Sequence, residues 1–596
     1  MANTKKRGLY MANAEIKAAK KQARLEKKQL RAEKKFTRTE KSWIMYDWAN
    51  SIYATNIMAA IFPIYFAAVA TEQGNQIYGY AVSIANLLVA VLAPMLGAIG
   101  DFKGMKKKLF VGALVIGLVF TLVMAIFGSW QMMLIGLIIS RIGFSGSCLF
   151  YDSFLTDVTK PERMDRLSAW GYAMGYIGGS TIPFIFSIAI VFAATLDPVV
   201  NWYAATFPAL AASIPADIMS YKLSILLVVI WWSLFSIPFL KNVKQIHYVE
   251  EKPTNLVKDA FGNMLRTFKS ICKDKRILCF IIAYFFYIDG VDTIISLATN
   301  YGSSLGLGTI SMVLALLVTQ VVAVPFSIIF GNLGKKVGAI RMISIAVCVY
   351  FVITILGFAM GINLEHKSVP YEEALENAQL KCVETVTFDS AEDQAAFDAL
   401  LADVDPDNTV RGRFAELAAS AMPTTGAEED GTSSRVAAFR SEADVLLYKD
   451  GQPLYSQVVM DAVEQTVIPA VENALANYDD VSGYEAALAT SNMLFWILAT
   501  LVGTVQGGIQ ALSRSYFGQI IPPERSNEYF GFMDIFGKFS CVIGPAMYSL
   551  VYSLTGRASL GILSIILLFF AGAITLLIGR KYMKLPAQEE PVPAGE

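Results

Sequence analysis

Two short stretches of the chain place carboxylates one helical turn from other polar groups, inside runs that are otherwise apolar. In YDWANS, residues 46–51, Asp47 stands three residues before Asn50 and four before Ser51. In YIDGVDTI, residues 287–294, Asp289, Asp292 and Thr293 repeat that spacing. Positions i, i+3 and i+4 share a helix face, so each stretch presents a polar stripe. A charge at the centre of a bilayer costs at least ~2.5–3.5 kcal/mol, so it persists where it meets water, a partner or a solute. Two carboxylates one turn apart repel, and a low-dielectric cavity also disfavours their charge. Asp289 or Asp292 could therefore bind a proton near neutral pH. In the other reading both stay ionised and bridge Arg141 or an amino group of a solute.

A third stripe runs through Arg141, Ser145, Cys148 and Asp152, and a fourth through Gln506, Gln510 and Ser513, ending on Arg514. A guanidinium at Arg141 suits a carboxylate by bidentate pairing, either on the solute or on Asp47 or Asp152. Asp152 and Arg514 fall at the ends of their apolar runs and read as latch or capping residues. Depth ranks Asp289 first among the acids. It lies thirteen residues past Arg276, about 20 Å along a helix. Tyr46, Trp48, Tyr53, Trp170 and Tyr287 are candidate cavity walls, each equally readable as packing.

The elements that must hold these residues are membrane helices. The chain has 596 residues, of which 55% are apolar and 17% charged, against about 25% charged in soluble domains. Crossing a bilayer takes roughly 20 apolar residues. Twelve runs qualify: about 43–70, 77–99, 108–128, 131–152, 169–194, 222–240, 276–298, 309–330, 342–362, 491–513, 529–553 and 557–579. The first is too long for a cleaved signal peptide and lacks a small-residue cleavage site. The reading is an all-α polytopic membrane protein of twelve transmembrane helices.

A net charge of −1 conceals segregation. Residues 1–42 carry fourteen Lys/Arg against four Glu, whereas the connections 71–76, 129–130, 195–221 and 299–308 hold no Lys or Arg. Positive charge marks the cytoplasmic side, so both termini are expected inside. For a prokaryotic chain the host is the plasma (inner) membrane. The basic arm reads as a solvated, partly helical orienting segment with attraction to anionic lipid as the alternative. A tail tethered to a membrane is not expected to bind nucleic acid.

The spans repeat. DSFLTDVTKPER, 152–163, aligns with RSYFGQIIPPER, 514–525, and GAIGDFKGMKK, 97–107, aligns with GNLGKKVGAIR, 331–341. Spans one to six thus recur as seven to twelve. The offset grows from 234 to 362 between these matches, which locates an insertion at 363–489, between spans nine and ten. It holds 25 acidic and 7 basic residues. It is expected to be an extracellular, mostly helical domain, a candidate partner site, with 423–434 a flexible loop. The expected domains are 1–42, the basic cytoplasmic arm; 43–240, the first bundle; 241–275, a cytoplasmic linker; 276–362 and 490–582, the second bundle; 363–489, the insertion; and 583–596, the tail.

The glycine–aspartate–lysine loop of Gly97, Asp101, Lys103, Gly104, Lys106 and Lys107, on twelve spans in two sixfold repeats, resembles the major facilitator superfamily. Phe102 stands where that family usually has a basic residue, and Lys335 replaces the aspartate in the second copy. Within the superfamily, YDWANSIYATNIMAAIFPIYF and YIDGVDTI resemble the vacuole-effluxer-like branch, which includes the autophagy-related vacuolar amino-acid effluxer of fungi. The resemblance implies two six-helix bundles that rock about a midplane solute site. It also implies a conformational latch at Gly97, Asp101, Gly104, Lys106 and Lys107.

The expected function is secondary active transport of a small polar solute, amino acids being candidates and protons the candidate coupling ion. The alternative is a non-transporting receptor or assembly scaffold acting through the insertion. The expected substrate and coupling residues are Asp47, Asn50, Ser51, Arg141, Ser145, Asp289, Asp292, Gln506 and Gln510, with Asp152 and Arg514 added to the latch. An enzyme is not expected. No GxxxxGK[ST] motif serves ATP, and no CxxC or HExxH spacing serves a metal, so no cofactor is expected. Of six cysteines only Cys382 falls in a segment that this topology puts on the extracellular side, which excludes an extracellular intrachain disulfide. A monomer is expected.

Overall fold

The computed structural model describes residues 35–250, 256–401, 439–440, 443–444, 446–449, 451–477 and 484–583. Most of the basic arm, the loop 423–434 and the tail beyond 583 lie outside these residues. Among the described residues, twelve helices are long and apolar enough to cross a membrane. In chain order they are α1 (Arg38–Val69), α2 (Glu72–Gly100), α3 (Met105–Ile126), α4 (Trp130–Ser153), α5 (Pro161–Ala193) and α6 (Ala216–Asn242). The second half supplies α7 (Lys275–Ser304), α8 (Thr309–Val337), α9 (Ala339–Thr385), α10 (Tyr484–Ile520), α11 (Ser526–Thr555) and α12 (Ala558–Gly579).

Helix α1 begins five residues before its apolar run because polar residues cap it. Thr37 Oγ1 accepts the Glu40 N–H at 3.1 Å, and Glu40 Oε2 accepts the Thr37 N–H at 2.7 Å, a reciprocal capping box. Glu40 is itself buried, held by Arg163 at 2.8 Å and Thr159 at 2.6 Å. This start places Asp47 nine residues into the helix, about 14 Å along it. Both α1 and α5 contain a π-turn, at Ala54–Ala59 and Tyr176–Thr181. Thr55 Oγ1 donates to Ser180 Oγ at 2.9 Å between them.

Each half buries its own apolar core. One is built around Trp43, Tyr46, Phe110, Tyr151 and Trp232, the other around Phe280, Tyr287, Tyr350, Tyr516 and Phe569. The halves meet where α2 and α4 pack on α11, and α5 packs on α8 and α10. The loops bearing the Lys/Arg clusters gather at one end, here termed the basic end. The linker between the halves is pinned there. Gln245 Oε1 accepts the Gly104 N–H at 2.8 Å, and the Val249 N–H donates to the Asp101 carbonyl at 2.9 Å. An amphipathic helix, Leu256–Lys273, completes the linker.

The insertion is an outgrowth of two membrane helices. Helix α9 runs for 47 residues, about 70 Å, and α10 for 37, about 55 Å, against a hydrocarbon thickness of about 30 Å. Between them lie the helices Ala391–Leu401 and Gln457–Asn477, the latter with a π-turn, and a small hairpin pairing Tyr448–Lys449 with Gln452–Pro453. The hairpin is an addition to the helical expectation. Phe397, Leu400, Leu447, Val459 and Val463 are buried in this unit. It joins one loop only, so replacing 386–483 by a short Gly/Ser linker is expected to leave a folded, monodisperse membrane protein by size exclusion. Aggregation of that variant would show that the insertion helps build the body.

Candidate functional site

A cavity lies between the halves, lined by Cys148 and Asp152 of α4, Tyr172 of α5, Tyr284 and Asp292 of α7, Gln510 and Arg514 of α10, and Phe530, Met533 and Asp534 of α11. Arg514 is its basic-end wall. The Nη2 group donates to Asp47 Oδ2 at 3.2 Å and to the Ser168 carbonyl at 3.1 Å. Nη1 donates to Asp152 Oδ1 at 2.9 Å, and Nε to Ser168 Oγ at 2.9 Å. The guanidinium also lies 4.5 Å from the Tyr172 ring centroid and 4.7 Å from that of Trp43, within cation–π range. Asp47 additionally accepts the Tyr151 hydroxyl at 2.6 Å.

Below this wall the halves are sealed, and the seal follows the sequence repeat. With an offset of 362, Asp152 is equivalent to Arg514, Ser153 to Ser515, and Asp165 to Asn527; with 234, Gly97 is equivalent to Gly331 and Asp101 to Lys335. Ser153 Oγ donates to Asn527 Oδ1, and Ser515 Oγ donates to Asp165 Oδ1 at 2.6 Å. These are the same contact made twice. Gly97 packs on the Asn527 carbonyl and Gly331 on the Asp165 carbonyl. The Arg514–Asp152 pair joins two equivalent positions, so it lies on the pseudo-twofold axis.

The loop acid has an asymmetric role. Asp101 Oδ1 accepts the Asn527 N–H at 2.9 Å and its side-chain amide at 2.7 Å, and Oδ2 accepts the Glu528 N–H at 3.1 Å. It thus caps α11, satisfying N–H groups that a helix start leaves unpaired. In the other copy Lys335 takes the acid's place and is in electrostatic reach of Asp165, so the charge sign is exchanged across the pseudo-axis. Lys106 is fully buried, 2.7 Å from Asp157, and donates to Ser526 Oγ at 3.0 Å across the halves. Lys107 instead caps α6 within its own half, donating to the Phe239 and Val243 carbonyls. Gly104 adopts φ 74° at the start of α3.

The structure departs from the sequence reading at several residues. Asp292 lines the cavity, but Asp289 is fully buried against α11, where its Oδ1 accepts the Gly544 N–H at 3.0 Å. Three residues advance a helix by about 300°, and the 60° left over turns Asp289 from the cavity into the helix interface. Arg141 does not pair with Asp47 or Asp152. Its Nε donates to Asn86 Oδ1 at 3.1 Å, and Arg514 holds both carboxylates. Gln506 faces a separate apolar pocket within the second half, beside Tyr301 and Thr319. Asn50 reaches Cys148 Sγ at 3.8 Å, Ser51 packs on Gly175 and Gly179 of α5, and Ser145 is buried in α4. Tyr46, Tyr53 and Tyr287 are core residues, and Trp48 stacks on Trp231. The aromatic walls are Tyr172, Tyr284 and Phe530. Asp534, Asp157 and Asp165 were not singled out by the sequence reading. Asp534 carries the same signal as Asp289, a carboxylate within an apolar run.

A β-carbon at Gly97 would sit 2.4 Å from the Asn527 carbonyl oxygen and 2.9 Å from its carbon, and backbone cannot move aside as a side chain end can. Gly97→Ala is therefore expected to pry the seal open at a cost of about 1–3 kcal/mol. A cysteine placed at Ala511, buried in the seal, should then react with a maleimide several-fold faster. An unchanged rate would mean that this close approach is not needed for closure.

His247 clasps the linker to the same seal, its Nδ1 lying 3.2 Å from Asp157 Oδ1. The hydrogen bond to Asp157 raises its pKa above the ordinary 6.5. A raised histidine contributes fully below its unfolded value, and the contribution is lost as pH climbs through the folded one. Protection of 243–250 from hydrogen exchange, corrected for intrinsic rate, should fall as pH rises above 6.5 through the raised folded value, and His247→Gln should flatten that dependence.

Two six-helix halves, related by an internal repeat and sealed at one end of a shared polar cavity, define a membrane transporter of the major facilitator fold. The human organic anion transporter MFSD10 (TETRAN) superposes with a TM-score of 0.51 at 11% identity, covering 90% of this chain and 99% of that one. Within that class the chain belongs to the Vacuole effluxer Atg22 like family, whose profile matches residues 75–381 and 489–581. The unmatched interval, 382–488, falls within the insertion. The chain is also 32% identical over 544 residues to an uncharacterized MFS-type transporter, YxiO, of Bacillus subtilis (strain 168), covering 90% of this chain and 93% of that protein.

Proposed function

We propose that this chain is a secondary active transporter that moves a small polar solute by alternating access. The basic end is cytoplasmic, and the cavity between the halves is the solute site. The observation that carries the reading is the cavity itself, lined from both halves and closed at one end by a contact made in duplicate. A rocker needs seals that break as the halves rotate, and hydrogen bonds between side chains on rigid helices suit that. The segregation of Lys and Arg supports the orientation, with both termini inside and the insertion outside. The family's description as effluxers supports export as the direction to test first, with amino acids among the candidate solutes. Cavity carboxylates support protons as the coupling ion.

The test is counterflow in proteoliposomes. Vesicles preloaded with one solute of a panel of amino acids, amines and carboxylic acids should accumulate its labelled form transiently, and an imposed proton gradient should drive net accumulation. Absence of counterflow for every solute, from protein that is monodisperse and inserted, would overturn the transport reading. Counterflow without any response to the proton gradient would remove only the coupling ion.

A further inference from the structure

The balance of charge around the central cavity points to the kind of solute it takes. Its cation is already spent. Arg514 directs Nε, Nη1 and Nη2 to Ser168, Asp152 and Asp47, and its faces lie against Tyr172 and Trp43. A solute carboxylate would have to displace one of these protein partners. Acid is in surplus. Asp292 and Asp534 line the cavity in addition to Asp152, whose side chain is 33% exposed. Lys538, one turn past Asp534, is in electrostatic reach of it. Asp534 Oδ2 is nonetheless enclosed without a hydrogen-bond partner. Tyr284 and Phe530 supply aromatic surface beside these acids, and ring faces attract cations.

Resting on the reading of this cavity as a transport site, we propose that its solute presents a cationic ammonium group, received between Asp292 of α7 and Asp534 of α11. Gln510, also in the wall, supplies neutral hydrogen bonding for the rest of the molecule. Both acids belong to the second half, while Asp152, across the cavity, belongs to the first. A cation seated there attracts both halves and favours their approach.

Cys148 lines the cavity and is only partly buried, so it can report the local charge preference without the natural solute. The full chain, with its other five cysteines changed to serine, is placed in nanodiscs. It is then treated separately with trimethylammonium-ethyl and sulfonatoethyl methanethiosulfonate. The ratio of rates, divided by that for a free small thiol, should favour the cationic reagent by at least about tenfold. It should fall to within about threefold of unity in Asp292→Asn/Asp534→Asn. The same ratio is read at Gln510→Cys, so low reactivity of one thiol does not decide the outcome. A ratio at or below one, or one unchanged in the double variant, would overturn the proposal, including the case in which protons already neutralise the acids. In counterflow, cadaverine or another amine should exchange and glutarate should not. Exchange of glutarate alone would sink the cationic assignment and leave transport standing. Exchange of no solute, with both thiols inert, would remove both readings.

Discussion

Arg514→Ala is expected to abolish solute exchange, leaving under about 1% of the wild-type rate, and to leave the basic end unsealed. The guanidinium is 5% exposed and pairs with Asp47 and Asp152 across the halves. Removing one partner of a buried ion pair costs about 3–5 kcal/mol, because the other charge is left uncompensated. Here two carboxylates are stranded, and the Ser168 contacts go with them. The loss falls on the sealed arrangement, since the pairs join α10 to α1 and α4. At 1.36 kcal/mol per decade, the sealed-to-open ratio should drop by roughly 10²–10⁴. Maleimide labelling of Ala511→Cys should rise accordingly. Arg514→Lys retains the charge but not the fork that reaches Asp47, Asp152 and Ser168 together, so it should recover only part of the seal. Near-wild-type exchange in Arg514→Ala would show that the pseudo-axis pair is incidental to the cycle.

Arg514 also shows what a sequence hides. Its apolar run ends at residue 513, which makes it look like a boundary residue, whereas α10 continues to Ile520. Hydropathy marks where side chains stop being apolar, not where the helix stops. The opposite error places Arg141 at the centre of the site, since an arginine inside an apolar run looks costly. Asn86 of α2 meets it, a partner that no local pattern reveals. The twelve helices, the halves and the insertion are legible because each is a pattern along the chain. The stripes on α1 and α7 are legible only to within about a sixth of a turn, and that margin separates Asp292 in the cavity from Asp289 in the interface. The repeat is legible too, but its meaning is not. That 152–165 and 514–527 touch each other, and close the cavity by doing so, needs the third dimension.

The duplicated seal bears on mechanism. Because Ser153–Asn527 and Ser515–Asp165 are equivalent contacts, rotation of one half about the pseudo-axis region loads both alike. The two copies differ in sign and in contact, with Asp101 capping the start of α11 and the exposed Lys335 in electrostatic reach of Asp165. An acid at a helix N-terminus is favourable in its own right, by about 0.3–1 kcal/mol at exposed sites, whereas Lys335 depends on one acidic partner. The Asp101 side of the seal is thus the firmer contact, holding three N–H groups of α11.

Asp157→Ala is expected to cause a large loss of stability at the basic end. Asp157 is enclosed. It pairs with the fully buried Lys106 at 2.7 Å and accepts the Ile246 and His247 N–H groups at 2.9 and 2.7 Å. Its removal leaves the Lys106 ammonium without its paired carboxylate, held by the Ser153 carbonyl, the Ser526 hydroxyl and the Phe154 ring face, with Asp101 in electrostatic reach. It also unhooks the linker from the seal. Stranding such a charge costs about 3–5 kcal/mol, a large share of the 5–15 kcal/mol typical of a folded domain. The purified variant should melt many degrees lower and lose monodispersity. Lys106→Met is expected to cost less, because Asp157 then keeps its two backbone donors and His247. The double variant Lys106→Met/Asp157→Leu removes both charges and should recover much of the melting temperature, though not the clasp on 243–250. If Asp157→Ala instead melts like the wild type, then Lys106 is not held as a buried cation there, and the ion pair is not what fastens the linker and α3 to the start of α11.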